Sequence, residues 1–431
     1  MNTVSSIFDI TAFGADPAGK LVSTNAIAAA FRECKNIGGG TVFIPSGTFL
    51  TGAIHMESNT TLYISPGAKL LFVKDSHAYP LLTTRWEGSE RMAHSPCIYG
   101  KGLENVTITG QGVLDGQGDY WWNLLQTGKL EFPRPRFIGL EDCRRVVIEG
   151  IKLMNSPSWT INPVCCENIT IEKVTIQNPA DSPNTDGINP DSCKYVRISN
   201  CYVDVGDDCI TLKSGTEFNS KRISCEGVTV INCTLVHGHG GVVIGSEMSG
   251  GIRNVVISNC IFEGTDRGVR IKTRRGRGGF IEDVRISNLV MKRVMCPLVI
   301  NEFYFCGEGG KEKHVWDKEP KPVNDTTPFI RRIYVSNISA VDATAAAGFI
   351  YGLPEAPIED VHFSDISVYM TKDGEPGIPA MMTGLKPMKN KGIYCCNIKA
   401  STFNRVLIRG QEGAPFEFAN SDVTVDGSIL P

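Results

Sequence analysis

With 431 residues the chain has material for a large core and would ordinarily divide into two domains. Repeat folds are the usual exception, because each repeat buries its face against its neighbours. Hydrophobic residues at 42% and charged residues at 21% exclude a disordered chain, and a formal charge of −3 excludes the basic field of a nucleic-acid binder.

In chain order, MNTVSSIFDITAFGAD carries neither a basic segment nor an apolar run, so no signal peptide is read there. No window anywhere reaches the roughly 20 apolar residues of a membrane span. Ser23-Thr24-Asn25 precede AIAAAFRECKNIGGG, in which Ile27, Ala30, Phe31 and Cys34 share one helical face. Asn25 or Thr24 is the expected N-cap and the glycines from Gly38 the stop, giving a short helix that covers a first coil. The stretch GTVFIPSGTFLTGAIHMESNTTLYISPGAKLLF reads as strands and turns. Residues 1–70 are thus the cap and first coils.

A repeat occupies residues 100–400. The phrase V-x-I-S-N recurs as VRISN ending at Asn200, VTVIN at Asn232, VVISN at Asn259, VRISN at Asn288, IYVSN at Asn337 and VHFSD at Asp365. Weaker copies end at Gly110, Gly150 and Lys173. Most steps are about 23 to 32 residues, the range of solenoid repeats. Each unit alternates β-branched and polar residues, then reaches Asn, Gly or Asp where a left-handed backbone is tolerated. No long helix separates the strands, which argues against βαβ units, and the step is too long for the hairpins of an antiparallel sandwich. The pattern predicts an all-β, single-stranded parallel β-helix, one domain over 1–431, its Asn side chains stacked in a corner ladder. The long step from Asn288 to Asn337 predicts an inserted loop, 303–327.

Fifteen cysteines leave at least one unpaired, and no CxxC pair supports a zinc site. Cys193, Cys201, Cys209, Cys233 and Cys260 lie in strand-like runs, where a thiol is a small hydrophobe. A reducing cytoplasm is the expected compartment. No cofactor, metal, nucleic acid or membrane is implied as a partner.

A second strand series, GINPDSC, CITLKS, VVIGSE and VRIKT, carries polar residues at or before its strands. These are Asn184-Thr185-Asp186, Gly206-Asp207-Asp208, Gly238-His239-Gly240 and Arg270-Ile271-Lys272. Residues one coil apart in sequence stack roughly 4.8 Å apart in space, so three carboxylates, an imidazole and two cations are expected on one wall. Singly, each motif is an ordinary turn or surface strand; their common phase is what points to chemistry. Crowded carboxylates repel, so one is expected to keep its proton and act as a general acid while an ionised neighbour activates water. Paired carboxylates beside a cationic patch fit hydrolysis of a glycosidic bond in an acidic sugar.

In order and spacing NTDGI, GDDC, GHGG with VVIGSE, and GVRIKT resemble the signature of glycoside hydrolase family 28, the polygalacturonases. The likeness extends to GTVFIPSGTFLTGAIHM and LYISPGAKL. It implies a right-handed β-helix and hydrolysis of α-1,4-galacturonosyl bonds by single displacement with inversion. It also implies Asp207 as general acid, Asp186 and Asp208 as the residues that hold and deprotonate water, and His239 as support for the acid's protonation. Asn184 would line the subsite, and Arg270 and Lys272 would hold the galacturonate carboxylate, with Tyr304 in NEFYF alongside. Departures include GDD where fungal endo-enzymes often read GQDD, the additional Gly241, and no secretion signal. RPRFIGL, WWNLL with Trp121 and Trp122, VVIGSEMSGG and FYFCGEGGKEKHVWDKEP resemble bacterial exo-acting members. Loops 85–94 and 303–327 are expected to wall off one end of a groove, which implies exo action. The rival readings are a hydrolase of a related pectic glycan, a calcium-dependent lyase on the same scaffold, and a non-catalytic glycan-binding β-helix.

Overall fold

The computed structural model describes residues 6–426, so residues 1–5, part of the stretch read for a leader, lie outside it. Two compact units divide the chain: residues 1–86 with 90–207, and residues 87–89 with 208–431.

The first unit is a stack of parallel β-coils with three ladders. One joins Gly40–Ile44, Thr60–Ile64, Glu104–Gly110, Arg144–Glu149, Glu167–Glu172 and Lys194–Ser199. In register, Val42, Leu62, Ile108, Ile148, Ile171 and Ile198 lie above one another, all buried. This is the period-two alternation turned inward, worth about 1.5–3 kcal/mol per aliphatic side chain buried. A second ladder stacks Leu70, Leu114, Leu153, Ile176 and Val203. A third stacks Ile54, Ile98, Ile138 and Ile161.

The GINPDSC stretch, expected as a strand, joins that third ladder only through the bridges Ile161–Ile188 and Val164–Asp191. Pro190 has no N–H to donate, and the Asp191 carboxylate is taken by Arg85 at 2.9 Å.

The helix Thr24–Asn36 buries Ala26, Ile27, Ala30, Phe31 and Cys34, the expected face. Its N-cap is Ser23, not Thr24 or Asn25. Thr24 is inside the first turn, where its hydroxyl accepts from the Gly52 N–H at 2.6 Å and so is committed to the neighbouring coil. Gly38, at φ +87°, ends the helix by donating to Lys35 O.

The second unit has two parallel ladders. One holds the V-x-I-S-N strands from the copy ending at Asn232 onward, in which Val230, Ile257, Ile286, Val335, Phe363 and Phe403 stack inward. Asn259, Asn288 and Asn337 all have φ between +53° and +58°. The Asn288 amide donates to Asn259 Oδ1 at 3.0 Å, and Asn337 donates to Asn288 Oδ1 at 2.7 Å, forming the expected ladder. The other ladder runs Ile210–Leu212, Val242–Gly245, Arg267–Lys272, Cys296–Asn301, Ala346–Tyr351, Lys391–Cys396 and Phe416–Ala419. The long step is an insertion between Cys296–Asn301 and Phe329–Ala343, carrying a one-turn helix, Lys313–Trp316.

None of the fifteen cysteines is in a disulfide. Among the described residues no helix is long and apolar enough to cross a membrane.

Candidate active site

In the first unit, Asn184 turns the chain with φ +53° and sends Asp186 inward, 3% exposed. The Asp186 carbonyl accepts from the Thr160 N–H at 2.8 Å, and its carboxylate Oδ2 accepts from Asn189 Nδ2 at 3.0 Å. Buried Arg134 fixes Asn184, donating to its Oδ1 at 2.7 Å and to Pro183 O and Pro157 O. Thr185 ties this turn to the next coil, its hydroxyl accepting from the Gly206 N–H at 3.3 Å. A Cβ on Gly206 would stand 2.4 Å from Ser182 O, so only glycine fits before Asp207. Carboxylate oxygens of Asp186 and Asp207 come within 4.8 Å of each other. Beside the Asp186 turn, Trp86 stacks on Trp159 at 5.3 Å between centroids.

Asp208, the next residue along, is buried in the second unit. Arg270 donates to its Oδ1 at 3.0 Å and Lys272 to its Oδ2 at 2.6 Å. Burial alone would raise this carboxyl, but Lys272, Arg270 and Lys213 outweigh it and hold Asp208 well below the usual carboxylate range. Asp208 is therefore an ionised acceptor, not the proton-keeping member of the acidic set. Arg270 and Lys272 alternate with Val269 and Ile271 along Arg267–Lys272 and are 3% and 7% exposed, so this Arg-x-Lys pair is covered and not turned to solvent. Gly240 makes room for them: a Cβ there would lie 3.2 Å from Asp208 Oδ1 and 3.3 Å from Arg270 Cδ. The additional Gly241 is equally constrained, since a Cβ would meet the Phe262 ring at 2.7 Å.

Tyr304 closes this cluster from one side, with Lys272 Nζ 5.1 Å and Arg270 Cζ 5.7 Å from its ring centroid. Burial pushes its phenol well above the ordinary value, so it is a neutral donor. A second guanidinium nitrogen of Arg270, Nη2, meets Met381 Sδ at 3.0 Å, a weak acceptor that a carboxylate would outcompete.

His239 pairs through Nδ1 with Asp266 Oδ2 at 2.8 Å. Burial opposes ionisation of Asp266, but the His239 and Arg267 contacts prevail and lower its pKa. An ionised acceptor there assigns the proton to Nδ1 and fixes the ring plane. The pairing follows from register: His239 precedes Val242 by the same three residues as Asp266 precedes Val269, and those valines are partners. Asp266 was not singled out in the sequence, although that phase could have identified it; Asn189, Arg134 and Met381 carried no such signal.

The insertion is anchored by the arginines that follow Lys272. Arg274 donates to Glu308 O at 2.6 Å and to Glu217 at 2.7 Å. Arg275 binds Glu355 and the carbonyls of His314, Asp317 and Glu319. So held, the insertion brings Phe305, Lys311 and Trp316 to a cavity of ≈ 710 Å³ that His239 and Asp266 also line.

The pattern described as "Glycosyl hydrolases family 28" matches residues 34–376. A probable polygalacturonase of Vitis vinifera is 33% identical over 372 residues, covering 83% of this chain and 73% of its own. An endo-polygalacturonase of Pectobacterium carotovorum is 29% identical, covering 67% and 73%. Among solved structures, an exopolygalacturonase of Thermotoga maritima has TM-score 0.78 at 30% identity, with 94% of this chain and 92% of that one covered. The parallel β-helix read from the repeat, right-handed as the family resemblance implied, is the fold of the solved polygalacturonase relatives. With four motifs in phase on its ladders and the family pattern spanning most of its length, the chain belongs to glycosyl hydrolases family 28 and is a glycoside hydrolase.

Proposed function

We propose that the protein hydrolyses α-1,4-galacturonosyl linkages in polygalacturonate or its oligomers, by single displacement and from a chain end. The observation that carries the substrate reading is the buried pair Arg270 and Lys272 beside neutral Tyr304. Two desolvated cations on one strand face are costly unless they meet anions. Asp208 meets both cations, and a uronate carboxylate displacing Met381 Sδ from Arg270 would exchange a weak acceptor for a charged one.

Asp207 gives its proton to the glycosidic oxygen as the C1–O bond breaks. A water oxygen forms the new bond to C1, and its proton goes to Asp208 or Asp186. Asp208 suits the acceptor role because its cations keep it ionised. His239, its ring fixed by Asp266, sustains the protonation of Asp207. The separation of Asp186 and Asp207 is nearer the roughly 5 Å usual for retaining enzymes than the roughly 6.5–9.5 Å of inverting ones. Inversion is therefore read from the family motifs alone. Proton NMR of the first product decides it: inversion releases the β-anomer of galacturonate.

Exo action is supported by the likeness of the insertion to exo-acting members and by the Thermotoga maritima relative. The test is a product profile on reducing-end-labelled tri- to hexagalacturonate. Release of one small product from one end is expected. A rapid fall in the viscosity of long polygalacturonate with little monomer or dimer released contradicts it. Asp207→Asn should abolish turnover by orders of magnitude while binding persists; ultraviolet-absorbing unsaturated products lost on chelation would indicate a lyase instead.

A further inference from the structure

The cavity beside His239 has a chemistry that a polyanion does not explain. Its volume of ≈ 710 Å³ is in the range of small-molecule sites, roughly 300–1,000 Å³. Its walls are mainly apolar: Ile378, Ala380, Met381, Met382 and Leu385 from one segment, with Phe305 and Trp316 from the insertion. The charges within it are largely cancelled. Arg267 is buried, and its donors go to Pro379 O at 3.0 Å, Ile378 O at 2.6 Å and Asp266 at 3.1 Å. Asp266 is paired with Arg267 and His239, and Lys311 is exposed. A carboxylate entering between the apolar walls would exchange water for thioethers. The cavity is also continuous with the cationic pair, because Met381 lines it and touches Arg270, and Asn301 holds the Met381 carbonyl at 3.2 Å.

We propose that this cavity is a specificity subsite for an uncharged, ester-bearing uronate. It seats the sugar next to the one held by Arg270 and Lys272, and takes that sugar's carboxyl as a methyl ester. Trp316, 41% exposed, offers its face to the sugar ring, and Met382, Ile378 and Leu385 receive the ester methyl. Because Arg274 and Arg275 anchor the insertion, the subsite is formed before substrate arrives. The preferred substrate is then a partly esterified galacturonan: one free carboxylate for the cations, one ester for the cavity. This rests on the galacturonan-hydrolase reading above.

The test compares kcat/KM for trigalacturonate, its monomethyl esters and its fully esterified form. One monoester is expected to exceed the unesterified trimer by about 10-fold or more, the scale on which apolar pockets discriminate a methyl-sized group. The fully esterified trimer, with nothing for Arg270 and Lys272, is expected to be the poorest. Thr383→Lys, an exposed change on the cavity rim, should lower the monoester preference at least 3-fold, and Lys311→Ala should leave it in place. Turnover of the unesterified trimer at or above the rate of every monoester, or a preference unmoved by Thr383→Lys, overturns the subsite alone. A free-acid preference lost in Lys311→Ala overturns it in favour of a carboxylate-binding cavity. Failure to cleave any of the three overturns the galacturonan reading and the subsite together.

Discussion

Lys272 Nζ lies 2.6 Å from Asp208 Oδ2, both side chains nearly buried, and Arg270 completes the grip from the other oxygen. Their shared wall was legible before any coordinates because GDD and RIKT fall in phase along the repeat, but the sequence assigned both cations to the substrate and not to Asp208. What the structure adds is direction: both buried cations turn to this aspartate, and Arg270 also touches Met381.

Lys272→Met should therefore act through Asp208. Without its nearest cation the buried carboxyl regains protons at higher pH, and the acid limb of the pH–rate profile moves up. A depressed carboxyl stabilises the fold above its unfolded value near 3.9 and ceases to as pH falls through the folded value. The variant narrows that window from below, so acid unfolding should begin at higher pH. Activity on galacturonate oligomers should fall by about 10²–10³-fold, with Lys272→Arg recovering part of it. An unmoved acid limb would show that Asp208 does not depend on Lys272.

Asp266→Asn tests whether His239 is oriented or merely present. The amide keeps the volume but removes the anion that assigns the proton to Nδ1. A drop in kcat of about 10-fold or more is expected, with KM less affected. His239→Gln should be at least as damaging, and the double variant no worse than His239→Gln. Additive losses would mean that Asp266 acts elsewhere, for instance through Arg267.

These residues also mark how far the sequence could be read. His239, Asp208, Arg270 and Lys272 sit on a periodic ladder, and periodicity turns sequence distance into spatial position. Asp266 shares that phase and was hidden only because an aspartate beside glycine and threonine looks like a turn former. Arg134, which positions Asn184, and Met381, which meets Arg270 from 111 residues away, lie off the period. Their positions depend on irregular connections whose path no local pattern specifies. The N-cap misassignment at Ser23 has a similar origin, since Thr24 is held by Gly52 in another coil.

Asn288 donates to Asn259 and accepts from Asn337 at φ +57°, so two contributions can be separated there. Asn288→Ala should cost about 1–3 kcal/mol in urea unfolding, from the lost amide bonds and the left-handed strain of a Cβ lacking a compensating polar group. Asn288→Gly removes the bonds but not the conformational freedom and should cost less. Neither should alter kcat/KM. Equal losses for the two would assign the whole effect to hydrogen bonding.

Glu302 follows Asn301 at the start of the insertion and is fully buried. Its Oε2 accepts from the Leu353 N–H at 3.0 Å, while Oε1 has no hydrogen-bond partner among the described residues. Burial, with Glu355 nearby, pushes its carboxyl up to about 8. A carboxyl raised in the folded state binds a proton that the unfolded chain has already released. Stability therefore falls as pH rises from the unfolded value near 4.3 towards 8, by up to a few kcal/mol, and levels off above it. Glu302→Gln is neutral in both states and should flatten that slope, gaining stability relative to wild type between pH 5 and 8 in urea unfolding. Because the segment after Glu302 carries Tyr304 to the Arg270–Lys272 pair, ionisation should also loosen that contact, and wild-type KM should rise above pH 8 where the variant's does not. Parallel stability curves for the two proteins across that range would place the proton elsewhere.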